Sequence, residues 1–130
     1  MKKKATSASG NPYEQLHKLF HERGRLAILS ELIKNREGLK FRELKDACSL
    51  TDGNLNRHLK TLEEAGAVKI RKRFVDAKPQ TTVVLTAQGT EGFLRYLQVL
   101  HDVLIDAAGS LGVEAGSQGV INWNEVELKG

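Results

Sequence analysis

The stretch TDGNLNRHLKTLEEAG, residues 51 to 66, decides the fold of this chain. Leu55, Leu59 and Leu62 recur at helical spacing, which predicts an amphipathic helix with one apolar stripe. Gly66 follows the last periodic position and predicts the end of that helix. The stripe must pack on a core, so the other faces of the helix are left for solvent or for a partner.

Those other faces carry side chains that are able to bind nucleic acid. Asparagine suits paired hydrogen bonds to adenine and arginine suits them to guanine. The candidates for base contact are therefore Asn54, Asn56 and Arg57. The candidates for contact with the phosphate backbone on the same helix are Thr51, Lys60 and Thr61. The alternative interpretation is an ordinary surface helix with solvated polar residues, and the helix alone does not decide between the two.

The segment that follows, AVKIRKRFVDAKPQTTVVLT (67 to 86), predicts a basic two-stranded ribbon. Val68 and Ile70 point to one side of the first strand, and residues 81 to 85 are β-branched and apolar, as in a strand. Residues 75 to 80 are the predicted hairpin loop. Cations at a sheet edge also discourage aggregation, but five within ten residues exceed that need. The predicted phosphate contacts of the ribbon are Lys69, Arg71, Lys72, Arg73 and Lys78.

Helical patterns surround this pair of elements. Asn11 is a plausible cap for a first helix, and Gly24 predicts a break or kink before the next helix. The remaining predicted elements are a helix over 25–35, a very short strand at 39–41, a helix over 41–47 and a long helix over 87–108, which Thr86 caps.

The long helix carries an apolar seam with alternating steps of four and three residues, as in a coiled coil. One apolar line of the helix is able to pack on the domain while another meets a second copy of the chain. The predicted dimer interface consists of Leu16, Phe20, Phe93, Leu97, Leu100, Leu104 and Leu111.

Three blocks of sequence resemble a known family: RLAILSELI (25–33), KFRELKDACSLTDGNLNRHLKTLEEAGAVKI (40–70) and TTVVLTAQGTEGF (81–93). They look like the winged helix-turn-helix transcriptional regulators of the MarR and ArsR groups. The resemblance spans roughly residues 12 to 108, and the tail beyond it departs from the family pattern. It implies a mainly α fold with a small antiparallel β-hairpin and terminal dimerisation helices. It also implies a homodimeric repressor that binds double-stranded DNA at a pseudo-palindromic operator.

Composition sets the remaining limits. A length of 130 residues suits one compact domain, predicted over 12–111, with a basic arm at 1–11 and an acidic, flexible tail at 112–130. The single cysteine excludes a disulfide within the chain and suits a reducing compartment, so a cytoplasmic location is expected. No apolar run approaches the ~20 residues that span a membrane.

The same sequence bears on other classes of function. No Gly-rich phosphate loop, HExxH or GxSxG motif occurs, so an enzyme is not expected. His17 and His21, or His101 with Asp102, suggest a metal-responsive repressor, but they equally suit surface or interface histidines, and no metal or cofactor is predicted. The tail with Trp123 leaves a protein–protein adaptor as another alternative, and an unidentified effector remains possible.

Overall fold

The computed structural model describes residues 17–116 and 119–125. The predicted basic arm, the Asn11 cap and the interface residue Leu16 lie outside the described residues. The chain forms two compact units. One is His17–Arg95, and the described part of the other begins at Tyr96.

The first unit has helices packed on a small sheet around a leucine-rich core. The core side chains come from four helices and two strands, so no element buries its apolar face alone. Fully buried members include Leu29, Leu44, Leu55, Leu62 and Val83. In chain order the elements are α1 (Arg23–Lys34), β1 (Leu39–Lys40), α2 (Phe41–Cys48), α3 (Asp52–Glu64), β2 (Val68–Val75), β3 (Lys78–Leu85) and α4 (Ala87–Ser110), which continues into the second unit.

Helix α1 begins two residues before its predicted start, and Gly24 lies inside its first turn. The Glu22 carboxylate accepts the Arg25 N–H at 2.8 Å and caps the helix. The expectation that Gly24 breaks the chain between two helices is wrong. Gly24 is buried, and a Cβ there would lie 2.6 Å from Nε2 of His58, so the glycine leaves room for the imidazole.

Helix α3 ends before Gly66 as predicted, and its start is capped by a threonine. Thr51 is its N-cap, with its hydroxyl accepting the Asn54 N–H at 3.1 Å. At the other end Gly66 adopts a φ of 79°. Its N–H donates to Glu63 at 2.9 Å, and the N–H of Ala67 donates to Leu62 at 2.9 Å. This is a Schellman motif, and it turns the chain directly into β2.

The sheet is antiparallel with strand order β1-β3-β2. The long ribbon pairs from Val68 with Leu85 out to Val75 with Lys78. Its turn has only two residues, Asp76 and Ala77, with φ of 52° and 64°. Positive φ at both positions matches a type I′ turn, whose twist suits two paired strands. The predicted loop over 75–80 is therefore wrong, because pairing continues almost to the tip.

Thr86 joins the end of α3, the start of the ribbon and the start of α4. Its hydroxyl donates to the carbonyl oxygen of Gly66 at 2.6 Å and lies 3.1 Å from that of Ala67. The same oxygen accepts the Gly89 N–H at 2.8 Å, so Thr86 caps α4 as predicted. The Thr86 N–H also donates to Ala67 at 3.0 Å.

Two residues predicted for the dimer interface belong instead to the core of the first unit. Phe93 is 1% exposed and Phe20 is 7% exposed. Their ring centroids lie 6.0 Å apart in a tilted arrangement, which is a favourable geometry for an aromatic pair. The apolar spacing of four and three residues begins at Phe93 in the sequence. The Phe93 side chain nevertheless packs inside its own unit and does not face outward.

The second unit contains the rest of α4 and the described part of the tail. Tyr96, Ala108 and Val113 are buried, whereas Leu104 and Leu111 are 41% and 47% exposed. After α4 the Val113 N–H donates to Ala108 at 2.9 Å, and a short 3-10 turn forms at Trp123–Glu125. Across the ranges 17–116 and 119–125, no helix combines the length and apolarity needed to cross a bilayer.

The junction at Thr86 generates a stability prediction. A Cβ on Gly89 would overlap the Ala67 carbonyl, so Gly89→Ala should cost about 1–3 kcal/mol of unfolding free energy. Gly109 on the same helix has no neighbouring atom within 4 Å of its would-be Cβ. Gly109→Ala should be neutral or stabilising by up to about 1 kcal/mol. Urea denaturation of both variants is the measurement, and equal effects would contradict the close approach.

Candidate nucleic-acid interface

On the exposed face of α3, an arginine and an asparagine are hydrogen-bonded to each other. Nη2 of Arg57 donates to Oδ1 of Asn54 at 3.2 Å, and both side chains are exposed. The two residues are three positions apart, so they lie on one side of the helix, away from the Leu55 stripe. This contact limits the rotamers of Arg57 and leaves other N–H groups of its guanidinium free to donate outward.

The two threonines predicted for backbone contact make local hydrogen bonds. The Thr51 hydroxyl is the helix cap, and the Thr61 hydroxyl donates to the carbonyl oxygen of Arg57 at 3.2 Å. Lys60 is exposed on the other flank of α3. At the start of the helix Asp52 pairs with Lys45 at 3.0 Å, which partly balances the only acidic residue of the first turn.

Asn56 lies apart from the Asn54–Arg57 pair and faces the ribbon. It lines a hollow of about 280 Å³ between α3 and the β2–β3 ribbon. Lys72 lies on the other side of this hollow, and Thr81, its cross-strand partner, lines it as well. The floor is apolar and is formed by Phe41, Leu59 and Ile70. An amide, an ammonium and a hydroxyl over an apolar floor are groups that suit a phosphodiester strand.

The ribbon places its five cations on two faces, as the two-residue period of its first strand indicates. Residues two apart share a face of a strand, so Lys72 lies on the face of Val68 and Ile70. Lys72 interrupts the apolar alternation because β2 extends beyond the core at this position. The cations on the opposite face are Lys69, Arg71, Arg73 and Lys78, all of them exposed.

Phe74 is an exposed residue of the ribbon that is absent from the sequence-predicted contacts. It is 75% exposed, the highest value among the large hydrophobic side chains of the described ranges. It lies on the same face as Lys72, and its cross-strand partner is Pro79. The signal was present in the sequence, since Phe74 interrupts the run of cations in RKRFVDAK at a place with no core to enter.

One buried polar residue connects the inner face of α3 to the start of α1. His58 is 3% exposed, and its Nδ1 lies 3.3 Å from Nη1 of Arg25. Arg25 also donates through Nε to the carbonyl oxygen of Leu19 at 2.7 Å and through Nη2 to that of Lys18 at 3.3 Å. The guanidinium therefore ties the segment before α1 to the inner face of α3.

The protonation state of His58 follows from these partners. A guanidinium has no acceptor, so Nδ1 must accept, and the ring proton lies on Nε2, 3.8 Å from the Glu22 carboxylate. Burial lowers the pKa of His58 below its ordinary value of 6.5, and Glu22 opposes this shift while Arg57 and Arg25 add to it. The capping bond from Arg25 lowers the pKa of Glu22, which stays ionised.

The Cys48 thiol is half-buried, and His17 makes a local hydrogen bond. Burial, reinforced by the charge of Glu31, raises the pKa of the Cys48 thiol to about 11, so it is protonated at neutral pH. Between residues 17 and 116 and over 119–125, no three His, Cys, Asp or Glu side chains cluster as metal ligands. Nδ1 of His17 accepts the Leu19 N–H at 3.1 Å, which occupies one of its two ring nitrogens.

Comparison with known proteins identifies relatives of this arrangement. A family model described as a winged helix DNA-binding domain matches residues 25–104. An uncharacterized protein of Methanocaldococcus jannaschii is 38% identical over 80 residues, which cover 62% of this chain and 86% of that protein.

Solved structures are similar over most of the chain. A transcriptional regulator homologue from Pyrococcus horikoshii OT3 is 32% identical, with a TM-score of 0.67 over 72% of this chain and 93% of that one. A MarR family transcriptional regulator from Streptomyces coelicolor, solved in complex with DNA, shares the fold at 20% identity. Its TM-score is 0.52, over 82% of this chain and 79% of that one.

The buried imidazole predicts a pH dependence of stability. Because the pKa of His58 is lower in the folded state, the unfolded chain binds more protons just below pH 6.5. Unfolding free energy should therefore fall as the pH drops below about 6.5 and level off below the folded-state pKa. His58→Gln should reduce this slope, whatever its effect on stability at pH 8. Urea denaturation from pH 8 to 5 tests it, and an unchanged slope would contradict a buried neutral His58.

Proposed function

The chain belongs to the winged helix DNA-binding domain family, and from that premise we propose that it is a sequence-specific transcriptional regulator that binds duplex DNA as a homodimer. The observation that carries the proposal is that one unit holds both the helix with the Asn54–Arg57 pair and the cationic ribbon, with Asn56 and Lys72 lining the hollow between them. A polar helix face next to a basic ribbon matches the two surfaces that such a domain needs, one for bases and one for phosphates.

We assign base reading to the exposed face of α3, the recognition helix. Its first half enters the major groove, where Arg57 donates to guanine and Asn54 supports it or contacts adenine. The charge along the helix favours this direction, since Arg57 and Lys60 precede the exposed Glu63 and Glu64 at its end. Carboxylates near the end would be repelled by phosphates, so the first half makes the closer approach.

The hollow between α3 and the ribbon is assigned to the DNA backbone. Asn56 and Lys72 both line it, so a phosphate bound there would accept hydrogen bonds from both. This changes the expected role of Asn56 from base contact to backbone contact. The ribbon, residues 68–85, is then the wing, and the cations on its outer face raise the positive potential around the tip.

We assign the exposed apolar strip of α4 to contact with a second copy of the chain. Leu104, Ala107 and Leu111 are exposed, and Leu97 and Leu100 are partly exposed. An apolar strip of this length favours self-association. A twofold dimer would set two recognition helices ~34–36 Å apart and so require a pseudo-palindromic site. Such a dimer excludes other proteins from about two turns of DNA, which makes repression its simplest effect.

The base-reading role of Arg57 is testable with a matched pair of variants. Arg57→Lys keeps the charge but removes the planar fork, and Arg57→Ala removes both. On a duplex selected by the protein from a random library, either change should cost about 1–3 kcal/mol of binding. On unselected duplex, Arg57→Lys should bind like the native protein. Fluorescence anisotropy measures both, and equal losses on the two duplexes would leave Arg57 with a phosphate role only.

The dimer is tested by placing charge in the strip. Leu104→Glu and Leu111→Glu together should give a monomer by sedimentation velocity at micromolar concentration, with helical content retained because both leucines are exposed. Affinity for the selected duplex should fall at least tenfold, since each half-site then binds alone. Gln98→Glu adds charge to an exposed position off the strip and should remain dimeric. A monomeric native protein would contradict the proposal.

A further inference from the structure

The tip of the wing is apolar on one face, in the middle of a cationic surface. Phe74 is 75% exposed and lies opposite Pro79 in the register of the ribbon. The exposed cations nearest in sequence are Lys72, Arg73 and Lys78, against the single acidic Asp76 in the turn. A fully solvated phenyl ring is unfavourable, and its position among cations indicates a partner that offers both negative charge and apolar surface.

The reach of the ribbon places this ring beyond the hollow at α3. Ile70 is the last partly buried residue of β2, and Phe74 follows it by four positions, or ~13 Å at ~3.3 Å per residue. Phe74 is on the same face as Ile70 and Lys72, so it faces the side on which the recognition helix lies. If one phosphate strand occupies the hollow, the next feature of the duplex under the tip is the neighbouring minor groove.

The geometry of the ribbon favours a fixed position for the ring. Strand pairing runs continuously to Val75 and Lys78, and the two-residue turn closes it. A paired ribbon of this length holds Phe74 at a defined distance from α3, as an apolar contact in a groove only ~6 Å wide requires. The Pro79 ring beside it widens the apolar face without adding a donor that would need a partner.

We propose that Phe74 is a wing-tip wedge that contacts the minor groove of duplex DNA, against sugar edges and the edge of a base step. This deepens the proposed function and rests on it. The expected preference is for flexible pyrimidine–purine steps in A·T-rich sequence flanking the contacts of α3, because such steps open at the least cost. The cations around Phe74 hold the two phosphate strands that border this groove.

A wedge differs from a phosphate contact in its dependence on salt. Phe74→Ala should weaken binding to the selected duplex on the order of tenfold, with an unchanged slope of log K against log salt. Arg73→Ala, one residue away, should instead lower that slope by ~0.9. Phe74→Leu keeps an apolar tip and should retain most of the affinity. Val75→Ala removes apolar surface from the opposite face of the tip and should have little effect.

The experiment combines these titrations with a repeated selection from a random duplex library. Phe74→Ala should lose base preference at the flanking positions while keeping the preference set by α3. Binding within twofold of native, with the same flanking preference, would overturn the wedge and leave the proposed function standing. Loss of dimerisation in Phe74→Ala by sedimentation would also overturn it, in favour of contact between two copies. Failure of the native protein to bind any duplex would overturn both proposals.

Discussion

The arrangement of the first unit depends on the junction where α3, the ribbon and α4 meet. The left-handed Gly66 ends α3, and one residue later the Ala67 carbonyl accepts from Thr86. The hydroxyl of Thr86 then caps α4 through Gly89. Because three elements share these few atoms, the angle between α3 and the ribbon is fixed by hydrogen bonds with a single geometry. The hollow beside Asn56 owes its width to that angle.

A second constraint acts on the opposite side of α3. The helix buries leucines along one stripe and places a neutral imidazole, His58, beside them. Arg25 satisfies the acceptor nitrogen of that ring and reaches the chain before α1 with its other donors. A buried polar contact of this kind penalises alternative packings, since any shift would leave a donor or acceptor unpaired. The outward face of α3 is thereby held in one orientation relative to the sheet.

The helices and the family were predictable from sequence because their signals are local. The stripe of α3, the Thr51 cap and Gly66 all act within a few residues of one another. The errors arose where distant residues decide the outcome. Gly24 looked like a break because the imidazole that fills its space is far along the chain. The turn at Asp76 and Ala77 is a local exception: it lacks the usual glycine, Asp tolerates a positive φ but Ala does so rarely, and the sequence therefore predicts a longer loop than the two-residue turn observed.

The central claim is that the recognition helix and the wing read duplex DNA as a symmetric pair. Selection of bound fragments from a random duplex library, sequenced after several rounds, tests it most directly. We expect an enriched inverted repeat with half-site centres one helical turn apart, ~10–10.5 base pairs. Enrichment of no sequence above the starting library, or of a single unrepeated half-site, would contradict it.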